Sequence, residues 1–163
     1  MTLAPASTRL ALAAVALFAL APCAHSQDGR EAWPEGSAMH TLYVVGDELD
    51  AARAALAEAH ERLITAIDGD ADGISPLAHA VASQHESWLA YRSADCELAG
   101  LLTGAGGAWP SVHGISCRIE YITQRTRVVD AAGSCLRALP ADSASHEQQE
   151  CLQGLVDWEM RGN

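Results

Sequence analysis

Val112, Ile115, Ile119, Ile122, Thr126 and Val129 follow one another in alternating steps of three and four. That spacing returns to one side of a 3.6-residue helix at every step, so the stretch is a bundle helix whose apolar seam needs a partner. Two more segments carry such seams. Leu49, Leu56, Leu63 and Ile67, with Ala52 and Ala59 between them, predict an amphipathic helix from Asp47 to about Ile67. Leu77, Val81, Trp88, Tyr91, Leu98 and Leu102 predict a second, opened by Ser75 as cap and Pro76 at the first helical position. The turn from Asp68 to Gly73 separates these two, Gly104 to Gly107 separates the second from the third, and Gly133 and Pro140 are expected to break the third. A short last helix, capped by Ser143 or Ser145, would carry Cys151, Leu152, Leu155, Val156 and Trp158. Aromatic residues make up only 5% of the chain, which favours packed helices over a sheet. The expected fold is all-α, an antiparallel three-helix bundle with a short additional C-terminal helix.

The first 26 residues have a different character. Arg9 precedes an unbroken apolar run from Leu10 to Ala21, and the small residues Ala24 and Ser26 stand before the polar Gln27. This is the order of a secretory signal peptide, and its apolar part is short of the ~20 residues that a bilayer span needs. Cys23 follows Leu20-Ala21-Pro22, similar to a bacterial lipoprotein box, but Pro22 stands where that box has a small residue. Cleavage after Ser26 is therefore expected in place of a lipid anchor at Cys23. Residues 27–46, with Gly29, Pro34 and Gly36 and no periodic pattern, are expected to form a flexible lead, and 47–163 the helical domain. Cys96, Cys117, Cys135 and Cys151 remain, an even set in an oxidising compartment, which implies two disulfides. Antiparallel helices would put Cys96 beside Cys117, and Cys135 and Cys151 would tie the third helix to the last, each bridge contributing about 3 kcal/mol in the chain-entropy model. The other pairings stay open at this level.

Ten basic residues, all arginine, stand against 21 acidic ones, a formal charge of -11. Removing Arg9 with the signal leaves nine, and the charge becomes -12. Such a chain has no electrostatic hold on nucleic acid or anionic lipid, and a basic partner fits it better. Chemistry-bearing motifs are incomplete. His60-Glu61, His85-Glu86 and His146-Glu147 could each open a zinc-hydrolase helix, but Ile64, Leu89 and Glu150 occupy the second-ligand positions, so these histidines are expected at the surface. The chain has no nucleophile elbow or P-loop, and pairing all four cysteines leaves no thiol nucleophile, so neither an enzyme nor a cofactor is expected. Asp68, Asp70, Asp72 and Gly73 match the opening of a calcium loop, yet His79 stands at its twelfth position and Ser75-Pro76 starts a helix too early. The three aspartates are taken as an acidic turn and a candidate binding patch, with no metal site.

Trp88-Leu89-Ala90-Tyr91-Arg92-Ser93-Ala94-Asp95-Cys96 resembles the W-x-x-Y-R-D-x-x-C signature of the lysozyme inhibitor LprI-like family of bacterial envelope proteins. Cys117, Arg125 and Val129 are similar to that family's C-x(4)-T-x-x-R-x-x-x-L segment, and Asp47 to Arg53 to its D-x-L-N-x-x-Y helix. Ser93, Ile122, Asp50 and Arg53 depart from the pattern, as in a divergent member. The resemblance implies a periplasmic or secreted binding protein directed at a lysozyme-like cationic hydrolase. Trp88, Tyr91, Arg92 and Arg125 are its motif residues, with a structural or partner-binding role. Physically, Trp88, Arg92 and Cys96 lie one turn apart, so ring and guanidinium can stack within the helix, and Arg92 or Arg125 is expected against Asp47, Asp50 or Asp95. A periplasmic assembly accessory with no hydrolase target is the alternative.

Overall fold

In a computed structural model of the protein, residues 29–68, 73–140, 142, 143 and 145–156 are described. The expected signal peptide, Cys23, Asp70, Asp72 and Trp158 lie outside them. Four α-helices follow in order, α1 (Ala38–Asp68), α2 (Pro76–Leu102), α3 (Trp109–Ala138) and α4 (Ser145–Leu152), with short 3-10 helices at Gly29–Ala32 and Gln153–Leu155. The fold is an all-α bundle with a short C-terminal helix, tied by two disulfides.

The centre of the bundle is α3. Leu49, Leu56, Ala59 and Leu63 of α1 meet Ile122, Val129 and Ala132 of α3, and Leu152 and Leu155 close the same core from the C-terminal end. α1 packs mainly along α3, α2 also packs along α3, and α1 and α2 touch each other little. That asymmetry leaves a furrow between α1 and α2 with α3 at its base.

Two boundaries and one helix phase differ from expectation. α1 begins at Ala38, inside the stretch expected to be a flexible lead, because Ser37 Oγ caps it by accepting the His40 N–H at 3.2 Å and Arg30 forms an ion pair with Asp47. Only Val45 of this first part is buried, so the apolar pattern that marks the rest of the helix is missing there. α3 runs through Gly133 to Ala138, since the glycine is buried in the helix against Leu63 and the chain first departs at Leu139, ahead of Pro140. The third difference is the phase of α2. Tyr91, Leu98, Leu101 and Leu102 are exposed, while Ala78, Cys96 and Gly100 are buried.

Close backbone contact sets that phase. A Cβ on Gly100 would lie 2.3 Å from the Pro110 carbonyl oxygen, and one on Gly114 would lie 3.1 Å from that of Cys96, so the two helices cross where neither has a side chain. At the other end, Ser75 caps α2 as expected, its Oγ accepting the Ala78 N–H at 3.1 Å. Asp68 holds the start of this cap, both carboxylate oxygens accepting the Ser75 N–H at 3.3 Å. Its carboxylate is thus used by the turn. No group of His, Cys, Asp and Glu that could hold a metal ion occurs among the described residues.

Candidate functional site

Trp88, Arg92 and Cys96 form an i, i+4 row on α2, and Arg125, Tyr121 and Cys117 form a row of the same spacing on α3. The helices run antiparallel, so the rows meet rung by rung. Cys96 is bonded to Cys117 with Cα atoms 5.5 Å apart, the Arg92 guanidinium lies 4.3 Å from the Tyr121 ring centre, and that of Arg125 lies 5.3 Å from the Trp88 ring. The stacking expected inside α2 is therefore replaced by two cation–π contacts between helices. Arg92 also meets Asp95 at 3.6 Å and Tyr91 at 5.3 Å, whereas Asp47 and Asp50 serve Arg30 and Arg53. Tyr91 itself is 61% exposed.

Arg125 is 5% exposed and does the most structural work of the four motif residues. It donates to the Leu155 carbonyl at 2.7 Å and to Gln84 Oε1, joining α3 to α2 and to the C-terminal 3-10 helix. Cys135 and Cys151 form the second bridge, from the end of α3 to α4. Nothing in the sequence marks Gln84 or the Leu155 carbonyl as a partner of Arg125. Tyr121 could have been found by continuing the four-residue step from Cys117.

Beside this ladder lies a groove of about 470 Å³. α1 contributes Arg53 and Leu56, α2 contributes His85, Leu89, Arg92 and Ser93, and α3 contributes Arg118, Tyr121 and Ile122. A smaller hollow of about 330 Å³ shares Trp88, Arg92 and Tyr121 with it and extends to Gly154. Below the groove, His60 of α1 stacks on His85 of α2 with ring centres 4.1 Å apart. These two histidines are half-buried between helices, not at the surface as expected. Burial lowers the His85 pKa to about 4, with His60 and Arg125 acting in the same direction. Burial and Arg125 lower that of His60 too, against Glu86 and a hydrogen bond to the backbone of Val81. Both rings are thus neutral at neutral pH.

A family model described as lysozyme inhibitor LprI matches residues 32–128, more than half of the chain. The chain belongs to the lysozyme inhibitor LprI family. No curated protein and no solved structure matches it. The LprI match begins ahead of α1 and ends within α3, so it takes in every rung of the ladder and every wall of the groove, and leaves out the Cys135–Cys151 bridge. Asp47, Glu48, Asp50, Glu58 and Glu61 are exposed along α1, giving this LprI member an acidic outer face on the same helix that presents Arg53 to the groove. No helix among the described residues is long and apolar enough to cross a membrane.

Proposed function

We propose that this chain is a binding protein of the periplasm or of the secreted fraction, which associates non-covalently with a lysozyme-like cationic wall hydrolase and is not itself an enzyme. The membership of the lysozyme inhibitor LprI family carries this reading. The formal charge of -11 supports it, because a strongly acidic protein is steered onto a cationic partner and the rate gain fades with salt. The exposed carboxylates of α1, with the Asp68, Asp70 and Asp72 turn, are the surface proposed for the encounter.

The test is lysozyme activity on cell walls with a rising excess of the purified protein. Inhibition is expected at low ionic strength, weakening by about tenfold or more near 0.3 M salt, where the Debye length is well under 10 Å. Replacing Glu48, Glu58 and Glu61 by Gln is expected to slow association while leaving the fold intact. No inhibition at low salt and large excess overturns the proposal.

A second reading rests on a different observation. Leu98, Leu101, Leu102 and Trp109 are exposed together around the α2–α3 turn, an apolar tip suited to another envelope protein. An assembly accessory would retain its partner in high salt and lose it on Leu101→Asp, whereas a hydrolase partner would be released by salt.

A further inference from the structure

We infer that the groove between α1, α2 and α3 is a binding site for a small anionic amphiphile, a molecule with one carboxylate or phosphate head and an apolar body. Each helix supplies one arginine to it, Arg53, Arg92 and Arg118, and its lining contains no carboxylate. In a chain of charge -11 this is a local reversal of sign, and it sits over an apolar base formed by the buried Leu56 and Ile122. The volume of about 470 Å³ is that of a small-molecule pocket.

Arg118 gives the head group its place. Among the described residues it makes no hydrogen bond or ion pair, and its Nε is buried. No carboxylate pairs with its guanidinium among the described residues, and an oxyanion entering the groove supplies that partner with a charge-assisted bond. The Nδ1 of His85, on the same lining, is also buried without a partner. Arg53 pairs with Asp50 at 3.4 Å and Arg92 with Asp95 at 3.6 Å, and an anion in the groove can compete with such partly exposed pairs. This site needs no hydrolase partner and stands apart from the inhibitor reading.

Calorimetric titration of the purified protein with dodecanoate, dodecyl phosphate and uncharged dodecanol, all below their aggregation limits, tests it. Both anions are expected to bind at one per chain, and dodecanol about tenfold more weakly. Arg118→Gln is expected to lower the affinity for the anions by about tenfold with no change in thermal melting, Arg118→Lys to restore part of it, and Arg127→Gln, exposed elsewhere on α3, to change nothing. Equal binding of dodecanol, no binding up to millimolar ligand, or unchanged affinity in a folded Arg118→Gln protein overturns the site. Binding to phosphatidylglycerol vesicles without binding to the monomeric anions overturns it as well, since the recognised object would then be a membrane surface.

Discussion

Arg125 and His85 show two ways in which a polar side chain is accommodated in a bundle. Arg125 stays charged because Gln84 and the Leu155 carbonyl receive its N–H groups and the Trp88 ring faces its cation. Arg125→Met removes these bonds and leaves their acceptors behind, so urea denaturation is expected to show a loss of about 3 kcal/mol, with Gln84→Ala costing about 1. His85 takes the opposite course and gives up its proton. Its folded value of about 4 lies below the ordinary 6.5, so the unfolded chain is protonated first. The stability that neutral His85 contributes is complete above pH 6.5 and is lost as the pH falls through about 4. Urea midpoints measured across that window should fall more steeply for the native protein than for His85→Gln, and equal slopes would refute this. The motif residues were readable as a group because Trp, Tyr, Arg and Cys recur at fixed spacing. Their partners were not, since a four-residue row shows which side chains share a face but not which ring on another helix stands opposite.

The elements were easier to place than their faces. Ser75-Pro76 opens α2 as its residue types require, and the long seam of α3 is the core, with Val112, Ile122 and Val129 buried. On α2, Val81 and Trp88 pack against the core as their spacing predicts, whereas Tyr91, Leu98 and Leu102 stay exposed, because the rotation of this end is set by its smallest residue, Gly100. Where Gly100 approaches Pro110 and Gly114, any side chain separates the helices and pulls on the Cys96–Cys117 bridge. Gly100→Ala is therefore expected to cost about 2–3 kcal/mol in chemical denaturation, within the range of overpacked cores. Gly106→Ala, with nothing near its added methyl, should stay within about 0.5 kcal/mol. The early start of α1 was hidden for a related reason. A half-buried helical turn held by a serine cap and an ion pair has no apolar period to read.

At the scale of the whole molecule, charge and covalent ties are both unevenly spread. Arg53, Arg92 and Arg118 meet at a groove whose lining holds no carboxylate, a local pattern that a total charge of -11 cannot reveal. Both bridges end on α3, at Cys117 near its start and Cys135 near its end, and α1 has none. Replacing Cys96 and Cys117 together by Ala should lower stability by about 3 kcal/mol yet leave helix content by circular dichroism nearly native, because the α1–α3 core is untouched. The helical class and the paired cysteines could be anticipated from spacing; the groove could not, as its three arginines come from three helices far apart in the chain. The bridges also set how far this protein can be stretched. They span 21 and 16 residues, and a chain pulled from its two ends cannot pay out the segments they enclose. At ~3.4 Å per residue, roughly 120 Å of contour length stays locked in the oxidised protein and is released only by reductant, so a single-molecule extension trace would record the redox state directly.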